Sequence, residues 1–271
     1  MVEACVVQGS ILKKVIKITK KVVTDGANLV FSPAGFSLKA TNRSLGATVA
    51  VVLPGDAFDH YHCDHTVAIA LDLHCMSRIF HVTSDDEIIT MQDCRGREDV
   101  TVLIETPCHG KISEFTIMKE ISTDNPRQLH PLHMHHPIIE TEILASLRMP
   151  SLVFSTICSE LADSGDDVTI KIIEEKGKTV KFITKGELGT SMVVCRHNVD
   201  VDRVEEAIVI EMNETVSVTF SLRLINSFAR GAESLSETVD INFLRDKPSV
   251  VEYKIAQTGY ARFYLHPSKE H

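Results

Sequence analysis

Apolar residues recur along this chain at two spacings, three to four in some segments and two in others, and the pattern is laid down twice. Leu73, Met76 and Ile79 form a stripe at helical spacing, and Leu222, Ile225 and Phe228 repeat it 149 residues later. At the same offset Val102 and Ile104 return as Val251 and Tyr253, alternating as a half-buried strand does. Gly110 and Phe115 return as Gly259 and Tyr264. More loosely, Leu12, Val15 and Thr19 answer Phe154, Ile157 and Leu161. One three-residue stripe is a common accident; several landmarks in a shared register are not. The pattern predicts two copies of one α+β domain.

Strand-like runs cover residues 48–53, 87–91, 100–105, 168–173, 207–212 and 250–255, and helices are expected over 11–22, 71–81, 151–162 and 222–232. Residues 119–137, KEISTDNPRQLHPLHMHHP, carry Pro126, Pro131 and Pro137, a density that continues neither helix nor central strand. They are expected to connect a first domain, 1–118, to a second, 138–271.

At about 100° per residue, Lys13, Lys14, Lys17, Lys20 and Lys21 share one arc of the first helix, opposite Leu12, Val15, Ile16, Ile18 and Val22. No acidic residue interrupts between Ala4 and Thr24. So many β-branched residues disfavour an isolated helix, so packing must hold it. The second helix gathers His74, Ser77, Arg78 and His81 on its polar side, and the fourth Arg223, Asn226, Ser227 and Arg230. The third is expected to expose Ser155, Thr156 and Ser159, with Glu160 nearby.

Charge changes the meaning of those faces. The 271 residues hold 28 Lys and Arg against 37 Asp and Glu, a formal net charge of −9. An acidic chain that gathers eight cations on selected helices implies a local anionic partner. Duplex DNA, with one negative charge per ~1.7 Å of axis, fits that requirement. There is no helix-turn-helix, zinc finger or aromatic stacking platform, so contact with the backbone, without sequence preference, is expected. Seven scattered cysteines without a C-x-x-C suit a reducing compartment, and no leader pattern or run of 18 apolar residues points to export or a membrane.

Residues 60–65, HYHCDH, fit the spacing of a metallohydrolase motif, in which imidazoles and a carboxylate hold zinc and activate water. The flanks GDAFD and TVAIA differ from the buried strand and glycine pair that such a motif needs. His130, His133, His135 and His136 lie in the proline-rich connector, where solvated side chains are the expectation. Neither a Walker A loop nor a G-x-S-x-G elbow is found.

VQGSILKKV, FDHYHCD, CMSRIF, GELG, EEAIVIEMNE and VVEYKIAQTG, in that order from Met1 to about Pro267, resemble the eukaryotic DNA sliding clamps, the proliferating cell nuclear antigen family. The resemblance implies two sliding-clamp domains per chain, with antiparallel sheets outside and four helices inside, in a head-to-tail homotrimer closed around duplex DNA. It implies a processivity factor for DNA polymerase and a docking platform for the clamp loader and repair proteins, which bind through short peptide motifs. Catalysis, cofactor and metal are not implied, and the location would be the nucleus.

By position, Lys13, Lys14, Lys20, Arg78, Lys111, Arg223 and Arg230 would face DNA, joined by Lys17 and Lys21 from the same arc. A partner groove would use Leu45, Gln128, Leu129, Pro248, Tyr264, Leu265, His266 and Pro267. Subunits would meet through Lys111, Ser113, Phe115, Ile117, Met192 and Val194. The chain departs from the family pattern at Thr156 and Ser159, where the family carries arginines, and at Asn42, Leu45 and His266 around the groove. Its connector is longer and histidine-rich, and either Lys176 or Lys178 answers the family's regulatory lysine. The alternatives are a specialised or checkpoint-type clamp subunit and a metallohydrolase using HYHCDH.

Overall fold

The computed structural model describes residues 2–6, 10–23, 27–42, 44–81, 84, 86–94, 96–119, 143–175, 177–187, 189–255 and 259–268. The chain divides into two compact units. One comprises Met1–Asn42, Thr48–His136 and Ile255–Ala261; the other comprises Arg43–Ala47, Pro137–Lys254 and Arg262–His271.

The first unit runs β1 (Val2–Val6), α1 (Ser10–Val22), β2 (Ala27–Ser32), β3 (Gly35–Asn42), β4 (Ala47–Pro54), β5 (His60–Cys63), β6 (Val67–Leu71), α2 (Leu73–His81), β7 (Ile88–Asp93), β8 (Asp99–Thr106) and β9 (Lys111–Met118). Its strands follow the orders β5-β1-β7-β8-β9 and β4-β3-β2-β6. The second unit repeats that succession with β10 (Ile143–Pro150), α3 (Ser151–Ala162), β11 (Asp167–Glu174), β12 (Lys178–Gly186), β13 (Gly189–Arg196), β14 (Val209–Met212) and β15 (Val216–Ser221). It continues through α4 (Leu222–Ala232), β16 (Thr238–Leu244), β17 (Ser249–Ile255) and β18 (Gly259–Leu265). The strand orders repeat as well, β14-β10-β16-β17-β18 and β13-β12-β11-β15. The duplication read from the apolar landmarks is therefore a duplication of topology, with α1 answering α3 and α2 answering α4.

Alternation builds the sheets. In β8, Val100, Val102 and Ile104 are buried while the intervening residues are not, and β11 buries Val168, Ile170 and Ile172 likewise. Gly35 sits at a positive φ of 137°, and a Cβ there would lie 2.4 Å from the Leu53 carbonyl oxygen, so the β2–β3 turn requires glycine. Apolar stripes hold the helices: Leu12, Val15, Ile16, Ile18 and Val22 of α1 are all buried. Each such side chain contributes roughly 1.5–3 kcal/mol, which offsets the poor helix propensity of the β-branched residues. In the second unit Phe228 of α4 stacks on Phe263 at 4.0 Å, and Tyr253 meets Phe263 edge-on at 6.0 Å.

Three expectations are corrected. The second helix begins at Leu73, because Asp72 caps it: Oδ1 accepts the His74 N–H at 2.7 Å, leaving buried Leu71 to close β6. The run 207–212 is shortened to Val209–Met212 by a 3-10 turn over Val204–Glu206. Ser155 is buried, and its hydroxyl bonds the Glu233 carboxylate beyond α4. Leu152, 66% exposed, and Val153 take the outer face of α3 in its place, beside Thr156.

Candidate functional site

The five lysines of α1 stand opposite its buried stripe, Lys17 and Lys21 exposed and Lys13, Lys14 and Lys20 partly so. Lys17, Lys20 and Lys21 form no ion pair among the described residues. Four of the five, all but Lys14, line one depression with Ser77 and His81 of α2. Arg78 is drawn elsewhere. It lies in a hollow of about 860 Å³ between α2 and β9, with Cys75 and Ile79 on one side and Phe115, Ile117 and Met118 on the other. Lys111 is exposed at the start of β9. The Glu87 carboxyl is held below its usual range, first by the Thr106 hydroxyl at 2.6 Å, then by the Ser84 N–H at 2.7 Å, with Lys111 and Lys13 adding attraction. In the second unit Arg223 and Arg230 are exposed on α4, and Arg230 Nε–H donates to Ser159 Oγ on α3 at 2.8 Å.

The expected interface residues fall on the last strands of two sheets, β9 and β13. On β9, Phe115 and Ser113 are half-buried, Ile117 is buried and Lys111 exposed. Met192 and Val194 project from β13 at 54% and 43% exposure. Sequence reasoning missed Ile112 and Met118, exposed on the other face of β9 at 66% and 63%, and the α2 residues Cys75 and Ile79 that flank it. The signal was present: apolar residues at 112 and 118 break the polar side of the alternation. Among the described residues no strand pairs with the outer side of β13 or β9.

Of the groove residues, Leu45 is exposed, Pro248 and Tyr264 are half-buried, and His266 and Pro267 are exposed. Leu265 is buried, so it anchors β18 and offers a ligand little surface. The His266 N–H donates to the Gly46 carbonyl at 3.2 Å, and Gly46 is in the left-handed region at φ 60°. A Cβ on Gly46 would lie 3.4 Å from the His266 Cβ, so the histidine packs directly on the turn that follows Leu45. Ser268 N–H to Thr219 O, 2.8 Å, pins the end of this segment. Asn42 is buried, and its side-chain amide caps the C-terminal end of α1 through the Val22 carbonyl at 2.7 Å. Gln128, Leu129, the connector histidines and Lys176 lie outside the described residues; Lys178 opens β12, half-buried.

The HYHCDH segment splits by strand alternation. Tyr61 and Cys63 are half-buried while His60 and His62 face out, and Asp64 and His65 lie past the strand's end. The Tyr61 hydroxyl donates to the Ser32 carbonyl at 2.7 Å, and burial pushes its pKa up. His62 pairs with Asp64 at 2.7 Å, and His60 approaches Glu3 at 3.9 Å. Among the described residues no three His, Cys, Asp or Glu side chains converge as metal ligands would. Burial also raises the Cys158 thiol to about 12, so that cysteine is an inert core residue.

A duplicated domain with a lysine-faced first helix and apolar side chains exposed on the edge strands β9 and β13 matches known sequence families over nearly its whole length. The N-terminal domain model of proliferating cell nuclear antigen matches residues 1–126, and the C-terminal domain model matches residues 137–268. The chain belongs to the proliferating cell nuclear antigen family. It is a sliding-clamp fold, α+β with antiparallel sheets and four helices.

Proposed function

We propose that three copies of the chain close head to tail into a ring around duplex DNA, held by topology rather than by base recognition. The observation that carries this reading is a pair of unlike sheet edges that both expose apolar side chains. Ile112 and Met118 project from β9 and Met192 and Val194 from β13, and among the described residues no strand pairs with the outer side of either. Open edges invite pairing with another chain. Because the two edges differ, joining β9 of one copy to β13 of the next is heterologous, and a suitable rotation closes it.

On this reading Lys13, Lys14, Lys17, Lys20, Lys21, Arg78, Lys111, Arg223 and Arg230 face the DNA backbone. Leu45, Pro248, Tyr264, His266 and Pro267, with Gln128 and Leu129 of the connector 119–137 between domains 1–118 and 138–271, hold short peptides of polymerases, clamp loader and repair proteins. The clamp acts in the nucleus as a processivity factor. Light scattering is expected to give three times the 30.1 kDa chain mass. Rings loaded on circular duplex should stay on it and slide off once it is cut. A monomer that never stays on circular DNA would overturn the reading. The exposed face of α3, with Leu152, Val153 and Thr156 but no lysine or arginine, supports a second reading as one subunit of a mixed ring. A chain that is monomeric alone and trimeric only with different subunits would decide for it.

A further inference from the structure

We infer that the start of α3 and the loop from Asn198 to Ile208, both in the second unit, form a docking surface for a positively charged amphipathic segment of a partner protein. The inference goes beyond the clamp reading and holds for a single copy as for a ring. Apart from the edge strands and Leu45, the large apolar side chains exposed among the described residues belong to these two segments. They are Leu152 and Val153, at 66% and 38%, and Val199 and Val204, at 58% and 78%. One residue ties the segments together. At the start of α3 the Ser151 N–H donates to the Glu237 carbonyl at 2.8 Å. The Glu237 carboxylate in turn meets the Arg203 guanidinium at 3.3 Å, and Val204 follows Arg203 in the chain. The turn Val204–Glu206 lies beside β10, the strand that leads into α3.

Single apolar side chains on a surface are ordinary. Here they are paired and carried by a closed loop. The backbones of Asn198 and Ile208 exchange hydrogen bonds of 2.8 and 2.9 Å, and the Asp200 N–H donates to Asn198 Oδ1 at 3.2 Å. The Glu206 N–H donates to the Arg203 carbonyl at 3.0 Å and the Ala207 N–H to the Val204 carbonyl at 3.2 Å, with Ala207 buried. Arg203 also approaches Glu205 at 3.8 Å and Glu206 at 3.9 Å. A loop so fixed loses little freedom on binding, which favours docking onto it.

Charge selects the occupant. Five exposed carboxylates, Asp200, Asp202, Glu205, Glu206 and Glu237, accompany one guanidinium, Arg203. That excess repels nucleic acid and anionic lipid, and it repels the same face of a second copy. It complements lysine or arginine flanking an apolar stripe, the composition of a basic amphipathic helix. Leu152 and Val204, the most exposed of the four, are the anchors that such a stripe covers. The carboxylates form the rim, where ion pairs set orientation and association rate more than affinity.

Fluorescence anisotropy of the intact protein tests the surface with labelled synthetic helical peptides of about four turns. One carries leucines on one face and lysines along its flanks, one has the same composition in scrambled order, and one has glutamate in place of lysine. The first alone is expected to bind saturably. Val204→Ser and Leu152→Ser are each expected to weaken it about fivefold, as truncated anchors do. Both side chains are exposed, so circular dichroism should be unchanged. Glu205→Gln with Glu206→Gln is expected to weaken binding about threefold and to flatten its salt dependence. Glu174→Gln with Glu187→Gln removes two exposed carboxylates elsewhere in the same unit and is expected to change it less than about twofold.

Equal binding of the ordered and scrambled peptides, equal losses for the two acidic pairs, or no saturable binding overturns the surface. So does wild-type affinity in both Val204→Ser and Leu152→Ser. A mass by light scattering that falls in Val204→Ser shows that a second copy covers the patch, and the assignment to a basic partner then falls.

Discussion

Arg230 reaches from α4 to donate its Nε–H to Ser159 Oγ on α3 at 2.8 Å. The third helix has no lysine or arginine of its own and is bridged by a neighbour's. The two helices are further tied by the Asn226 amide donating to the Cys158 carbonyl at 3.1 Å. The exposed cations of the second unit's helices thus reduce to Arg223 and Arg230, while α1 alone carries five lysines.

That imbalance gives the first prediction. Replacing Lys13, Lys14 and Lys20 together by alanine should weaken loading onto DNA far more than alanine at Thr156 or Ser159. Each neutralised phosphate contributes a slope of ~0.9 in log affinity against log salt, so the triple variant should flatten the salt dependence as well. Retention of closed rings on circular DNA should survive salt in wild type, since escape requires an opened interface. Loading of the triple variant at wild-type efficiency would remove α1 from the DNA-facing surface.

The edges give the second. Phe115→Lys places a charge on β9 among the half-buried residues beside α2, and Met192→Lys does so on β13. Each alone should yield a monomer by light scattering, because a head-to-tail ring uses both edges once per joint. Circular dichroism should be unchanged, since neither side chain belongs to the fully buried core. A trimer that tolerates both charges places the joint elsewhere.

How much of this was legible in the sequence depended on whether short-range pattern or tertiary contact decides a residue's place. The stripes of α1 and α4 and the alternation of β8 and β17 follow from spacing alone, so the duplication could be read directly, although α2 buries Phe80 in place of the expected Ile79. Ser155 could not, because its burial comes from a carboxylate 78 positions away, Glu233. Asn42, taken as a groove residue, is claimed by the C-terminal end of α1. The lysines could be grouped by helical angle, but α2's position beside them could not, so Ser77 and His81 joined the same depression only in three dimensions. Arg78 went the other way, toward β9, for the same reason.

Acid stability supplies the third prediction. The Glu87 carboxyl is held below its ordinary value chiefly by the Thr106 hydroxyl. A depressed carboxylate contributes stability above its unfolded pKa of about 4.3, and that contribution disappears as pH falls through the lower folded value. Glu87→Gln should cost about 1 kcal/mol near neutral pH, because the buried carboxylate exchanges two charge-assisted hydrogen bonds for weaker ones. The difference from wild type should shrink below about pH 4 in urea melts across pH. A difference that grows on acidification would contradict the assignment.

The core of the second unit gives the fourth. Phe228 is stacked on Phe263 at 4.0 Å and meets Tyr253 at 6.5 Å, all three fully buried. Phe228→Ala should destabilise by about 3–5 kcal/mol, and Phe228→Leu by clearly less, measured by denaturant unfolding. Equal losses would show that refilling the volume does not help and that the aromatic ring itself carries the whole contribution.

The last concerns peptide selection at the C-terminal segment. Extended peptides with paired aromatic anchors, docked near Leu45 and Tyr264, are expected to draw most of their affinity from those anchors, about 2 kcal/mol or more each. His266 is fixed at its backbone by the Gly46 carbonyl and packs on Gly46, so its exposed ring stands at the edge of Leu45's turn. There it reduces the space for an apolar anchor, and its ring nitrogens are costly to desolvate against that anchor. His266→Ala should therefore bind such a peptide more tightly than wild type. Calorimetric titration of one peptide against both proteins measures the gain. Identical affinities throughout would leave the ring in solvent with no part in selection, and no binding to either protein would remove the groove itself.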